Sequence, residues 1–260
     1  MIIKKIKSIY DGNPKDVIKL KLKKLFNRSN IINYHKKINI YEIPIIINNR
    51  NRLTYLKELI NWLEKNNYKN LVIIDNQSTY LPLIEYYNKS KYQVIRLNKN
   101  LGYLSLWKTN LFNRFKNSFY VYTDSDILPI DECPSDFLNY FYQTLLKYKE
   151  IDKVGFGLKI DDINDPNKKF IIKNEKKFWI NKYKDSNFFK SSIDTTFALY
   201  KPLKYGGYWL KSLRSDYPFL AKHLPWYLNN NIDEEIKFYQ KNLNYKSSFY
   251  ENQRGKSYEI

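Results

Sequence analysis

The chain has 260 residues, 43% hydrophobic and 27% charged, enough for one large α/β domain or two small ones with a sizeable core. Its single cysteine, Cys133, excludes an intrachain disulfide, and no stretch approaches the roughly 18 apolar residues of a spanning helix. The opening MIIKKIKSIYDGNP lacks the apolar core of a signal peptide, so a cytoplasmic protein is expected. A formal net charge of +19 implies a general attraction to anions. Only seven of the 45 basic residues are arginine, however, and the excess of Lys, Ile, Asn, Tyr and Phe is what AT-rich codons encode. The charge therefore needs no polyanionic partner to explain it.

Residues 1–40 read as a Lys-rich N-terminal extension, with a short helix over Val17 to Phe26 and His35 on the surface. Residues 41–260 form the main domain. An apolar run over 42–47 is the first strand, and Leu53, Leu56, Ile60 and Leu63 follow at helical spacing. Residues 71–74 give a second strand, and a helix runs through 81–89, with Pro82 tolerated in its first turn. Residues 92–97 are the third strand, and Leu104, Trp107, Leu111 and Phe115 share one face of a helix. Residues 119–122 make the fourth strand, followed from near Pro134 by a helix with Phe137, Phe141, Leu145 and Tyr148 inward. This alternation predicts a Rossmann-like α/β fold, a mostly parallel central sheet with helices on both faces.

Ligands of open parallel sheets bind outside the carboxyl ends of the strands. All four strands end there in short polar segments, built from asparagine, aspartate and glycine in a chain that otherwise favours lysine. They carry Asn48, Asn49 and Arg50; Asp75 to Ser78; Asn98, Asn100 and Gly102; and Asp124 with Asp126. Two carboxylates one residue apart repel each other unless a cation joins them or one takes up a proton. Hard oxygen ligands suit Mn2+ or Mg2+, which commonly use one or two carboxylates plus substrate phosphates. The plainer alternative is that Asp124 or Asp126 caps a helix or anchors a turn.

The ordered segments IPIIINNRNRLTYL, VIIDNQST, NKNLGYL and VYTDSD resemble the nucleotide-binding half of glycosyltransferases with the A-type (GT-A) fold, most closely the family 2 group. The resemblance covers residues 41–130 as a nucleotide-binding half. It extends more loosely over 131–260 as an acceptor-side half, through VGFGLKIDDINDP, IDTTFALY and KHLPWY. It implies that Arg50 and Asp75 contact base or ribose, with Asp75 accepting the imide proton of a uracil. Asn48, Asn100 and Gly102 would line the nucleotide pocket, Asp124 would touch ribose or metal, and Asp126 would hold the metal against the diphosphate. One departure stands out: the second-strand turn is Asp-Asn-Gln-Ser where the family has a glycine.

In the later half, the resemblance implies that His223, on a late loop, completes the metal shell. The alternative is a buried histidine bonding a carbonyl. Asp194 is the implied general base on the acceptor hydroxyl, against the alternative of a turn-forming aspartate. Asp216, read as close to His223, and the acidic run Asp233, Glu234 and Glu235, which resembles a helix N-terminus, are the rivals. Residues 161–166 read as an acidic turn, and Trp209 and Trp226 as candidates for sugar stacking. The activity the resemblance implies is metal-dependent glycosyl transfer, inverting in the family 2 manner, from a UDP-linked or other nucleotide-sugar donor. The acceptor would be a hydroxyl on a glycan, protein or lipid; no specific nucleic acid and no membrane span is expected. Two other readings remain: a nucleotidyltransferase, which would normally show a Gly-rich loop after the first strand, and a basic nucleic-acid-binding protein, whose affinity would fall steeply with salt.

Overall fold

The computed structural model describes residues 38–163, 168–206, 211–227 and 233–243. The chain divides into two units, residues 1–37 and 38–260, and every described residue lies in the second. The expected helix over 17–26, His35 and Trp209 lie outside the described residues.

Eight strands make one sheet: β1 (Ile45–Asn49), β2 (Leu71–Asp75), β3 (Gln93–Arg96), β4 (Tyr120–Asp124), β6 (Lys153–Gly155), β8 (Phe188–Lys190), β9 (Ala198–Tyr200) and β10 (Ser212–Ser215). Their order is β3-β2-β1-β4-β9-β6-β10-β8. The first four are mutually parallel, β9 runs against both its neighbours, and β10 is parallel to β6 and antiparallel to β8. A small second sheet joins β5 (Ile127–Pro129), β11 (Leu220–His223) and β7 (Gly157–Leu158) in that order. The protein is thus a Rossmann-like α/β fold around a mostly parallel sheet.

β1 starts three residues later than its apolar run. Asn39 caps a 3-10 turn over Ile40–Glu42, and Pro44 has no N–H to give a ladder, so regular pairing begins at Ile45. Alternation along the buried strands then splits the core into two layers. Ile45, Ile47, Ile73 and Val121 face α1 (Leu53–Lys65), α2 (Leu81–Asn88) and α4 (Phe137–Lys147). Ile46, Ile74, Tyr120, Tyr122 and Tyr200 face the other way, onto Leu106, Trp107 and Phe112.

That second cover differs from the expected helix over 104–115. It is a 3-10 turn over Gly102–Leu104, a run of turns, and a four-residue helix, α3 (Phe112–Phe115). Thr109 donates its hydroxyl to the carbonyls of Ser105 and Leu106, and Ser105 turns its own hydroxyl into the sheet. Such side-chain bonds compete with the helical ladder. Of the expected face only Trp107 is buried; Leu104, Leu111 and Phe115 pack half-buried against the same cluster, which Leu106 and Phe112 complete.

Two further helices complete the described chain, α5 (Lys168–Glu175) and α6 (Glu234–Lys241). As expected of its acidic start, α6 is capped by Asp233, which accepts from the Ile236 N–H at 2.8 Å. Among the described residues no helix is long and apolar enough to cross a membrane.

Candidate functional site

From β1 the chain moves outward through β2 and β3, then returns to β4 on the other side of β1. Ligand crevices of open sheets lie at such a switch point. Here Asn48, next to last in β1, stands opposite Asp124, the last residue of β4, in the parallel register.

Asn48 Nδ2 donates to Asp124 Oδ1 at 3.0 Å, and Asn48 Oδ1 accepts from the Ser105 hydroxyl at 2.8 Å. The orientation of the amide is fixed at both ends, with its donor toward the carboxylate. Thr195 completes the setting: its hydroxyl donates to Asp124 Oδ2, and its carbonyl accepts the Asp124 N–H at 3.2 Å. Asn48, expected to line the nucleotide pocket, is committed here to positioning Asp124.

Burial, and next the repulsion of Asp126, push the Asp124 carboxyl up to about 8 despite those two hydrogen bonds. Asp126 moves the other way. Its burial is outweighed by His223, whose Nε2 lies 3.5 Å from Asp126 Oδ2, and by the field of Arg52, so it is held below the usual carboxylate range. The sequence places His223 on a loop, but it ends β11, antiparallel to β5, opposite Ile127. A hairpin-like pairing 96 residues apart in sequence thus brings the histidine to the second aspartate.

These groups suit a hard divalent cation in one mode only. Among the described residues no three Asp, Glu, His or Cys side chains are grouped as an all-protein cage would need. Two carboxylates completed by substrate phosphates is the arrangement that Mg2+ and Mn2+ commonly accept, and Asp124 and Asp126 are two such carboxylates side by side. His223 is engaged with Asp126 and rests edge-on against Trp226 at 4.7 Å.

The second and third strand ends are sewn together. Asp75 is buried, its Oδ1 accepting the Ser78 N–H at 2.9 Å and its Oδ2 paired with Arg96 Nε at 3.2 Å. Asn76 bridges to the next loop, accepting from the Leu101 N–H and donating to the Gly102 carbonyl. Asn100 Oδ1 accepts the Gly102 N–H at 2.8 Å, and Gly102 has a φ of 71°, which a side chain would strain. The departure at Gln77 is explained locally. It occupies a left-handed position, φ 65°, where glycine is free of strain, and holds it with two bonds of its own amide, to the Asn98 carbonyl and from the Asn100 N–H.

Arg50 Nη1 donates to the Asn242 carbonyl at 3.2 Å, just beyond the last turn of α6. A cation there also complements the helix dipole. Arg52, unmarked by sequence, is buried with its guanidinium 3.4 Å from the Tyr239 ring centroid, and its charge reaches both Asp126 and Glu235. Glu235 in turn accepts from the N–H and hydroxyl of Thr54 in the first turn of α1.

Asp194 lies in the loop that enters β9. Its Oδ1 accepts from both the N–H and the hydroxyl of Thr196, at 3.1 and 2.9 Å, the turn that was its alternative reading. It is still part of the site's charge cluster, because its field raises Asp124. Although burial opposes it, Arg214, Thr196 and Lys153 hold Asp194 ionised below the usual range. Arg214 Nε donates to the Ser192 carbonyl at 2.9 Å and Lys153 Nζ donates to the Ile193 carbonyl. Two buried basic side chains therefore pin the segment that delivers Thr195 to Asp124.

The rivals of Asp194 lie elsewhere. Asp216 pairs with Lys182 at 2.9 Å and caps its own turn, and Asp233 and Glu235 belong to α6. Asp161 and Asp162 pair with Lys159, and the Tyr227 hydroxyl donates to Asp162. Trp226 is only 2% exposed, closed to sugar stacking in this arrangement.

Ser105, Thr195, Arg52, Lys153 and Arg214 escaped the sequence reading. A signal existed for the arginines. In a chain that uses lysine by default, Arg52, Arg96 and Arg214 all stand where a planar fork meets a ring or a fixed acceptor. Ser105 and Thr195 carry no such mark.

No family model matches the sequence, and no curated protein does. Among solved structures, the fold is similar to a mannosyltransferase from Pyrobaculum calidifontis in complex with GDP-Man and Mn2+, at a TM-score of 0.42 and 11% identity over 72% of this chain and 52% of that one. It is similar to S. aureus TarS at a TM-score of 0.34 and 18% identity, over 61% of this chain and 28% of that one. A cytidylyltransferase from Leptospira borgpetersenii gives a TM-score of 0.34 and 13% identity, over 48% and 56%. The chain spans about half or less of each. These are partial likenesses. The site stands on this chain's own geometry.

Proposed function

We propose that the chain transfers a sugar from a nucleoside-diphosphate sugar, UDP-linked by preference, to a hydroxyl group on a glycan, protein or lipid acceptor, with Mn2+ or Mg2+ and with inversion. The observation that carries this reading is Asp124. It is a half-buried carboxylate at the switch point, locked by Asn48 and Thr195, whose proton affinity is raised by desolvation and next by the charge of Asp126 beside it.

In this reading residues 41–130 bind the nucleotide and residues 131–260 the acceptor. Asp75 retains a second lone pair on each oxygen for a base donor, and the Asn76–Gly102 stitching fixes the floor beneath it. Asp124 and Asp126 would hold the cation, which supplies a Lewis acid for the charge developing on the departing diphosphate. Arg52 adds a fixed positive charge nearby. The acceptor oxygen attacks the anomeric carbon as the bond to the diphosphate breaks, and Asp194, already ionised, takes the hydroxyl proton.

The test is a thermal-shift and hydrolysis panel of UDP-, GDP- and dTDP-sugars with and without Mn2+. Stabilisation by one nucleotide sugar that depends on Mn2+ and is lost in Asp126→Ala is the expected result. If Asp126→Ala responds as the wild type does, the site is misassigned. Release of pyrophosphate from a nucleoside triphosphate and a sugar phosphate would select nucleotidyl transfer instead.

A further inference from the structure

Helix α5 has two unlike faces. Inward, Ile171 and Glu175 are buried, and Glu175 pairs with Arg214 at 3.1 Å. Outward, Lys169, Phe170 and Lys173 are exposed, and the following 3-10 turn continues that surface with Lys176, Lys177 and then Ile180. Phe170 is 40% exposed and Ile180 is 70% exposed, large apolar side chains that packing leaves in water.

The lysine density here exceeds the chain's general bias. Eight of the 23 residues from 168 to 190 are lysine, whereas lysine and arginine together are 45 of 260. The countercharges are also placed unevenly. Lys182 is paired with Asp216 and Lys184 with Glu150, and Glu175 is turned inward. Among the described residues, no carboxylate stands within ion-pair distance of Lys169, Lys173, Lys176 or Lys177.

We propose that the outer face formed by Lys169, Phe170, Lys173, Lys176, Lys177 and Ile180 docks the protein on an anionic lipid surface. Lysines beside exposed apolar side chains on one short amphipathic surface match an interface with charged headgroups above an acyl layer. Ile180 decides between polyanions, because a branched aliphatic side chain gains by entering the acyl boundary and offers a nucleic acid neither a stacking plane nor a charge. This inference is independent of the transferase reading. Its test needs neither donor nor metal.

The full chain is sedimented with vesicles of equal parts phosphatidylcholine and phosphatidylglycerol, and with phosphatidylcholine alone. Binding to the first and not the second is expected. Each removed lysine should cost about 5-fold in partitioning, the equivalent of about 1 kcal/mol, so Lys173→Gln with Lys177→Gln should cost about 25-fold. Both sites are exposed, so the folded state is undisturbed, and an unchanged thermal melt checks this. Ile180→Ser should weaken vesicle binding while leaving retention by a single-stranded oligonucleotide unchanged. Failure of the wild type to bind the anionic vesicles, or full binding by the lysine variant, overturns the proposal. Unchanged vesicle binding by Ile180→Ser overturns it too, and leaves a surface that attracts any polyanion.

Discussion

Asn48 and Asp124 stand in register near the ends of two adjacent parallel strands, and the amide of the first donates to the carboxylate of the second at 3.0 Å. The bond crosses the seam where the sheet reverses its winding order, so a ligand in the crevice meets a carboxylate whose direction is already set. Asn48→Ala removes that donor, leaving Asp124 short of a partner and the buried Ser105 hydroxyl with only that of Tyr122. A loss of about 1–3 kcal/mol in stability is expected from unsatisfied buried groups. Titration of UDP-sugar with Mn2+ should show weaker binding, and wild-type affinity in this variant would remove Asn48 from the site.

The fold disfavours the charge on Asp124. Its carboxyl ionises at 3.8 when free and is pushed up to about 8 in the fold, chiefly by burial and then by Asp126. Between those values the folded state holds more protons than the unfolded one, so this group makes stability fall as pH rises. Asp124→Asn can keep both partners, accepting from Asn48 and donating to Thr195, with no charge to bury. Its melting temperature, measured without ligand, should exceed the wild type's by a margin that widens from pH 5 to about pH 8, while its response to Mn2+ and nucleotide sugar disappears. A margin independent of pH would contradict the raised proton affinity.

Lys153 has the opposite slope. Burial pushes its ammonium down to about 7, with the Asp194 charge only partly restoring it. The unfolded chain keeps the proton up to about 10.5, so between those values the unfolded state binds more protons and this group makes stability rise with pH. Lys153→Met should flatten that rise in melts recorded from pH 7 to about pH 10. It also frees the Ile193 carbonyl, and the donor response should weaken through Thr195.

How much of this was visible in the residues divides along a physical line. The first four strands, and α1, α2 and α4, follow from periodicity because their burial is one-sided or complete over whole turns. The segment 102–115 kept its apolar spacing and lost its helix to short side-chain bonds, which periodicity does not register. Within the site, carboxylates and polar strand ends could be named because their chemistry is costly anywhere else. Their holders could not, since Ser105 and Thr195 act through geometry that only the sheet order creates. Gln77 shows the limit sharply: its φ of 65° is a glycine's conformation, and the two amide bonds that secure it reach residues 21 and 23 positions away.

The support behind Asp194 gives the last expectation. Arg214 and Glu175 face each other with side chains only 4% and 6% exposed, and the arginine lies 4.0 Å from the centroid of the Phe178 ring while holding the Ser192 carbonyl. Burial pushes the Glu175 carboxyl up even with this partner in place. Arg214→Met takes the arginine away from that buried carboxylate, and breaking a buried pair costs about 3–5 kcal/mol, or a fall in Tm of roughly 6–20 °C for a domain of this size. Because the penalty belongs to the abandoned charge, adding Glu175→Gln should recover part of it. The donor response should not recover with it, since the Ser192 carbonyl has still lost its arginine and Thr195 its fixed approach to Asp124. A double variant that regains both stability and full Mn2+-dependent binding would mean the pair supports the fold without setting the site.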